Sequence, residues 1–517
     1  MSLLDVEVLT RLQSEFRQSM KTLLIDLCGD IDDSYADLAN RLKLPVGYFR
    51  TLAHSLERSS FSNWKVVGWI ETLNDLVYFL DLLQQVRKER ELRDFAEQLF
   101  FDCEQRYFEN SYLEDLFPLN RPQTKGLGAR LQRLCTRLAQ DLTQESLFFD
   151  PRSATQWSAR RRATHWNVVG NLDQRFERAE RALTIFIGTG GDELVVPSDL
   201  AGMIKATQPI VFEVDRHGIA LKEHRRFPIC SVWGSHVEWL WPKRRAAEAA
   251  HTTFGALTVG PTVQYGKDRE PKAIVPTDPR QVARIARAWR TIQHAWPQGH
   301  RLLELLTSRV IPLQAKGVVS FSYRHRPGLS FINCFDRDNL DLIDDLIHEN
   351  SHHHLNLLLR KHVMYRGDRN QQLFYSPWRK SPRPIRGILH AAFTFTMGAL
   401  LFERLSAHGE KHARAWRQGG LTKRDLLCAR YRCLEEIESV RYSMQDLDYA
   451  GRHLKWITGS GARLVGQLEE VLSKVEQRID RHRKAVFASS FGPSLRKHIK
   501  ELHKARQAYG RCRLSKA

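Results

Sequence analysis

The sequence predicts a predominantly helical α+β protein with a small β-sheet or hairpin packed beside a helix pair. Apolar residues recur every three or four positions in residues 6–24 and 69–85, the spacing of one helix face. Short runs rich in β-branched and aromatic residues follow in the middle of the chain. From about residue 421 onward the pattern is helical and charged again.

These changes of pattern divide the chain into three regions. Residues 1–145 form a helical region that we expect to act as a scaffold or to recognise a partner or peptide. Residues 146–415 form a mixed α/β region, and residues 416–517 form a helical C-terminal region.

The middle region contains the predicted strands. Three runs, at 183–187, 209–214 and 256–259, have strand character. Two further runs, at 318–323 and 329–333, are joined by Arg-His-Arg-Pro-Gly, and the Pro and Gly favour a hairpin turn. This predicted hairpin leads almost directly into a long helix.

The chain is basic: its 517 residues include 79 Lys and Arg against 59 Asp and Glu, a net charge of +20. Such a charge attracts polyanions. The basic clusters at 160–162, 243–245 and 511–516 are short, however, and no nucleic-acid-binding motif accompanies them. We therefore expect a basic, soluble surface and no nucleic-acid partner.

Cysteine usage and hydropathy favour a soluble cytoplasmic protein. The eight cysteines are scattered and form no CxxC pair, which is typical of reduced thiols. The N-terminus lacks the basic and then apolar pattern of a signal peptide. The most apolar stretch, 388–402, is too short to span a bilayer and contains His390, so we expect no membrane association.

A HExxH motif, His348-Glu349-Asn350-Ser351-His352, lies within the long helix after the hairpin. Two histidines four positions apart face the same way, so both imidazoles can bind one metal ion. The apolar flanks of the motif bury one face of this helix, which places the ligands in the protein interior. The predicted chemistry is therefore that of a metal centre.

A third ligand is expected from the next helix. His390 follows His352 by 38 residues and lies on an apolar helical segment, so it can complete a set of three protein ligands with open positions. Glu403 is the rival, since a downstream carboxylate would complete a peptidase-type site. His353 and His354 point about 100° and 200° away from His352 and cannot share its metal.

The loop between the two helices is rich in proline and arginine. Prolines stiffen it, and Arg379, Arg383 and Arg386 can bind an anionic ligand bidentately. The role of Glu349 depends on the metal. With zinc it would be the general base that activates bound water, and with ferrous iron it could be a ligand, an outer-sphere group or a proton acceptor.

Residues 318–402 resemble a bacterial family of HExxH-motif peptide-modification proteins, the α-ketoglutarate-dependent HExxH-type peptide β-hydroxylases. The matching segments are LIHENSH (346–352), LNLL (355–358), YSPWR (375–379), PRP (382–384) and GILH (387–390). The Pro-Trp-Arg and Gly-Ile-Leu-His segments are more specific than the HExxH pentapeptide itself.

The resemblance implies an enzyme that hydroxylates a β-carbon of a side chain in a ribosomally synthesised precursor peptide. Ferrous iron would be held by His348, His352 and His390, and O2 and α-ketoglutarate would be the co-substrates. Arg383 or Arg379 would pair with the distal carboxylate of α-ketoglutarate.

Two other interpretations remain open on the sequence. The first is a zinc metallopeptidase that uses Glu349 as the general base. The second is a non-catalytic scaffold that binds a partner through its helical ends.

Overall fold

The structure is a computed structural model of the chain. It describes residues 4–42, 58–86, 262–269, 271–367 and 371–516, together with short separate segments between residues 44 and 261. Only the backbone is described for the strands between residues 158 and 256. The helices expected between 87 and 145 lie outside the described part, apart from single residues.

Helices form most of the described part of the chain, as the sequence predicts. The described α-helices are α1 (Val6–Ser34), α2 (Ala36–Leu42), α3 (Trp64–Val86), α4 (Pro279–Ala295), α5 (Pro297–Leu306), α6 (Asn339–Lys361), α7 (Ile385–Lys411), α8 (Ala413–Gln418), α9 (Lys423–Arg452), α10 (Gly459–Ile479), α11 (Arg483–Ala488) and α12 (Gly492–Tyr509). Short 3₁₀ turns cover Arg58–Ser62, Asp480–His482 and Arg513–Lys516.

The described strands are β1 (Ser158–Arg162), β2 (His165–Val169), β3 (Arg181–Ile185), β4 (Val195–Val196), β5 (Ile210–Asp215), β6 (Gly218–Leu221), β7 (Arg226–Cys230), β8 (Trp239–Leu240), β9 (Thr252–Phe254), β10 (Leu257–Val259), β11 (Thr262–Tyr265), β12 (Pro271–Val275), β13 (Arg309–Gln314), β14 (Phe321–Ser322), β15 (Leu329–Asn333), β16 (Phe374–Ser376) and β17 (Ser381–Arg383). They form sheets in the orders β1-β2-β4, β3-β5-β6-β7-β8, β12-β11-β13-β10-β9 and β16-β17. The runs expected at 183–187, 209–214 and 256–259 overlap β3, β5 and β10, and β3 begins and ends two residues earlier than expected.

The sheet next to the HExxH helix is mixed. β13 runs parallel to β15, from the pair Arg309 and Leu329 to the pair Leu313 and Asn333. β14 pairs antiparallel with β15 through Phe321 and Phe331. This is the predicted hairpin, and it is confirmed. All residues of β15 are buried, as expected for a strand that is covered on both faces.

The HExxH motif lies in the middle of α6, as predicted. The helix begins with a capping box, in which the Asp338 carboxylate accepts a hydrogen bond from the Asp341 N–H at 2.8 Å and the Asp341 carboxylate accepts one from the Asp338 N–H. Arg360 and Lys361 occupy its last turn, where the helix dipole favours positive charge. Both ends of α6 are therefore stabilised locally.

α7 is the central helix of this part of the protein. It is long and apolar enough to cross a bilayer, yet 72% of its most apolar window is buried inside the protein. Its neighbours are α6, α9 and α10. This burial is typical of the core helix of a soluble protein.

Two helices lie where the sequence analysis named only strands. α4 begins with Asp278 as N-cap and Pro279 in the first turn, and α5 begins at Pro297. Both are amphipathic and pack against α6. The proline and N-cap signals of these helices are present in the sequence. They were not used for a prediction, because β-rich runs surround them.

The N- and C-terminal helices both contact the region around α6. Gln13 of α1 donates to the Leu305 carbonyl at 3.1 Å, and Glu71 of α3 pairs with Arg360 at 2.9 Å. At the other end, Lys380 pairs with Glu501 of α12 at 2.9 Å, and the Tyr375 and Tyr509 rings stack with centroids 4.9 Å apart. α12 thereby holds the short β16–β17 sheet in place.

Candidate metal centre

One face of α6 is bound to the β14–β15 hairpin by three serines. Ser320 Oγ donates to Asp345 at 2.7 Å, and Ser322 Oγ donates to Glu349 Oε2 at 2.7 Å. Ser330 Oγ lies 3.1 Å from His353 Nε2. Since 345, 349 and 353 are four positions apart, they form one stripe along the helix. This stripe fixes the rotation of α6 about its axis.

The adjacent stripe of α6 carries the two histidines of the motif. The His348 and His352 ring centroids lie 5.0 Å apart. One ring nitrogen of each and one carboxylate oxygen of Glu349 lie within 4.8 Å of one another. Three donor atoms of this kind at this separation are close enough to contact a single cation.

The third predicted ligand comes from α7. His390 lies six positions into this helix, and its ring centroid is 5.8 Å from that of His352, with the two planes inclined by 32°. The grouping within 4.8 Å does not include His390. The structure therefore brings the three imidazoles side by side, with His390 at a slightly larger separation than the motif pair.

All three imidazoles have lowered pKa values. Burial is the main cause at each ring. The neighbouring rings of His348 and His390 lower the pKa of His352 further. The positive charges of Arg386 and Arg324 add to the effect of burial on His390, whose pKa is lowered to about 4. The rings are therefore neutral near pH 7, which is the form that binds metal ions.

Glu349 is buried between the hairpin and the histidines. Burial raises the pKa of its carboxyl to about 8, although the hydrogen bond from Ser322 opposes the rise. A cation next to the carboxylate would lower this pKa again. Glu349 is therefore placed to act either as a ligand or as a group that exchanges a proton at the site.

The rival ligand Glu403 lies elsewhere. It is 13 positions after His390 on α7, which corresponds to about 20 Å along the helix axis. Its carboxylate pairs with Arg478 of α10 at 3.1 Å. Glu403 does not reach the two motif histidines.

His353 and His354 face the core. Gly328 N–H donates to His353 Nδ1 at 3.4 Å, so Nε2 carries the proton and donates to Ser330. The His354 ring packs edge-on against Phe393 with centroids 5.0 Å apart. Both were predicted not to share the metal of His352, and both are buried.

The predicted arginines lie on the rim of the site. Arg379 is in the β16–β17 turn, Arg383 is on β17, and Arg386 is in the first turn of α7; all three are exposed. The charge of Arg379 acts on His348, and that of Arg386 acts on His390. Arg383 instead lies against Gly387.

Arg324 joins this rim, although the sequence analysis assigned it only to the hairpin turn. Its side chain is exposed, and its charge lowers the pKa of His390. Among the described residues, Arg324, Arg379, Arg383 and Arg386 form no ion pair with a carboxylate. Within this described part, positive charge from three separate elements therefore lies near the imidazoles without a paired carboxylate, an arrangement that attracts an anionic ligand.

Ser322 and Glu436 also contact residues of this region, although neither was predicted from the sequence. Ser320 and Ser322 alternate along a strand, so they share one face, and this signal could have indicated a contact with the helix that follows. Glu436 on α9 accepts a hydrogen bond from Trp378 Nε1 at 2.9 Å. Nothing in the local sequence around 436 indicates that contact.

No family model and no curated protein matches this chain. The resemblance to the peptide β-hydroxylases therefore stays a prediction.

The donor set fits a transition-metal ion. It offers neutral imidazoles from two helices and one buried carboxylate, which Ser322 of the hairpin holds by a hydrogen bond. Nitrogen ligands of this type suit iron and zinc.

Proposed function

We propose that the chain is a non-haem iron, α-ketoglutarate-dependent hydroxylase that acts on a β-carbon of a side chain in a ribosomally synthesised peptide. His348, His352 and His390 would hold Fe(II). Bound iron would activate O2, so that α-ketoglutarate, O2 and a C–H bond give succinate, CO2 and a C–OH group. We further propose that the protein acts in the cytoplasm on a precursor peptide.

One observation supports this proposal: guanidiniums that pair with no carboxylate in the described part of the chain lie beside a cluster of neutral imidazoles. A dicarboxylate such as α-ketoglutarate needs a cation for its keto-acid end and a second positive group for its distal carboxylate. Arg324 and Arg386, which act on His390, and Arg379, which acts on His348, are the candidates for the second group.

The other residues would prepare the site. Ser322 fixes the Glu349 carboxyl beside the two motif histidines. The Phe395 ring contacts the His348 ring edge-on with centroids 5.0 Å apart, and the Trp378 indole stacks on Phe395 with centroids 4.0 Å apart, so this pair of rings would support His348 on one side.

The test uses α-ketoglutarate itself, because slow succinate formation does not require the peptide to be known. The purified chain is incubated with Fe(II) and α-ketoglutarate, under air and under argon. We expect succinate under air only, and none from His348→Ala. Binding of α-ketoglutarate under argon should weaken in Arg386→Ala and Arg324→Ala but not in Arg417→Ala, an exposed arginine on α8. Equal succinate in air and argon would contradict the proposal.

A zinc metallopeptidase is the second candidate, because the Glu349 carboxylate lies within 4.8 Å of the His348 and His352 nitrogens. In that case Glu349 would be the general base, and peptide cleavage would need neither O2 nor α-ketoglutarate. Glu349→Gln would then abolish cleavage while zinc stays bound.

A further inference from the structure

Glu436 is a buried carboxyl group that the proposed chemistry does not use. It lies on α9 and is 7% exposed. Its Oε2 accepts a hydrogen bond from Trp378 Nε1 at 2.9 Å. Burying a carboxyl is costly unless it is hydrogen-bonded, so this bond holds the buried Glu436 carboxyl and the half-buried Trp378 indole in a defined relation to each other.

Trp378 connects Glu436 to the metal site through one further ring. The indole stacks on Phe395 of α7 with centroids 4.0 Å apart and planes only 6° from parallel. Phe395 in turn meets the His348 ring edge-on, with centroids 5.0 Å apart. Each contact in this series is a ring contact of the kind that aromatic side chains favour.

We propose that Glu436 is a positioning residue that orients the His348 ring through Trp378 and Phe395. This inference rests on the metal centre of the proposed function. Metal affinity depends on the groups that orient a ligating imidazole, and the loss of such a group typically costs 10–100-fold. Without the hydrogen bond to Glu436, the indole is free to turn, and Phe395 and His348 lose the surface that holds them.

α9 also contacts α6 directly, through ion pairs close to His348. Arg432, one turn before Glu436, pairs with Asp341 at 3.0 Å and with Asp344. Asp344 lies one turn before His348. Arg432 therefore holds the helix backbone near His348, and Glu436 acts on the ring.

The role of Glu436 requires a hydrogen-bond acceptor and no charge. Burial raises the pKa of its carboxyl well above the ordinary value. The hydrogen bond from Trp378 lowers this pKa, but by less than burial raises it. A glutamine offers a carbonyl oxygen at nearly the same place. Glu436→Gln should therefore preserve the orientation of Trp378, whereas Glu436→Leu should not.

The experiment measures Co²⁺ affinity of the full-length chain by competition with a coloured chelator. We expect Trp378→Phe and Glu436→Leu each to lower the affinity by roughly 10-fold, and Glu436→Gln to retain most of it. The double variant should be no weaker than either single one, since both remove the same bond. Trp416→Phe is the matched control, because Trp416 Nε1 also donates one partly buried hydrogen bond, to the Thr422 carbonyl at 2.8 Å. The Co²⁺ affinity of this variant should not change.

Equal losses in Trp378→Phe and Trp416→Phe would overturn the inference, and so would additive losses in the double variant. If Glu436→Leu does not fold, the comparison of the two tryptophan variants decides alone. Failure of the unaltered chain to bind Co²⁺ would overturn both the metal centre and this inference. Normal Co²⁺ binding without succinate formation would contradict only the proposed hydroxylase activity.

Discussion

At the scale of single residues, direction around α6 decides what each histidine does. His352 and His353 are neighbours in sequence but point about 100° apart. The first lies beside His348 and His390, and the second bonds to Gly328 and Ser330 of the hairpin. The i, i+4 spacing made the first role predictable, whereas the second depends on the hairpin that α6 meets.

Substitutions of two histidines should therefore affect different properties, one the metal affinity and the other the stability. His390→Ala removes a proposed ligand and should lower Co²⁺ affinity by roughly 100-fold or more, since losing the orienting partner of a ligand alone costs 10–100-fold. His353→Ala breaks two buried hydrogen bonds and should lower the free energy of unfolding by about 2 kcal/mol while one ion still binds. Calorimetric titration and urea unfolding measure the two effects.

The reverse result would show that the assignments are exchanged. In particular, full Co²⁺ affinity in His390→Ala would remove His390 from the site, and His353→Ala losing the ion at unchanged stability would place His353 in it.

At the scale of elements, the site depends on how the hairpin, α6, α7 and the β16–β17 turn meet. The strands of the hairpin, the HExxH helix and the helix of His390 were all predictable, because each has a local periodicity or turn signal. The contacts of Ser322 with Glu349 and of Trp378 with Glu436 were not, since the partners are 27 and 58 positions apart and no local pattern joins them.

The contact between hairpin and helix should depend on pH through Asp345. Burial raises the pKa of Asp345 to about 6, and the nearby Asp344 adds to the rise. The folded state therefore keeps a proton that the unfolded chain releases at lower pH. This contribution to stability is present below the ordinary pKa of an aspartate and is lost as the pH rises through about 6.

Asp345→Asn carries no such proton, so it should gain stability relative to the unaltered chain as the pH rises. We expect a relative gain of about 2 kcal/mol between roughly pH 4.5 and 7.5, with little further change above that. Urea unfolding at several pH values measures the difference. A difference that stays constant over this range would show that Asp345 titrates as an ordinary aspartate.

At the scale of the whole molecule, the C-terminal helices are part of the structure that surrounds the site. α9 packs along α7 and contributes Arg432 and Glu436. α12 holds the β16–β17 sheet through Lys380 and Glu501. The sequence predicted helices here and a predominantly helical class for the whole chain, but it contained no signal that α9 would contact the helix of the motif more than 80 positions earlier.

A chain that ends at residue 418, after α8, should therefore not fold. It would expose the face of α7 that α9 covers, which includes the buried ring of Phe402 under Arg432, and large exposed apolar surfaces lead to aggregation. Circular dichroism during heating, measured for the truncated chain and for the full-length chain, tests this prediction. A soluble truncated protein with a cooperative transition and normal Co²⁺ affinity would show that the site does not need α9.

We propose that His348, His352 and His390 bind one metal ion together, and anomalous X-ray scattering from a crystal of the Co²⁺-loaded chain would locate this ion. We expect a single strong peak about 2.1 Å from one ring nitrogen of each of the three histidines. An ion bound only by His348 and His352, with the His390 ring turned away, or the absence of a peak at this place, would show that the three histidines do not form one metal site.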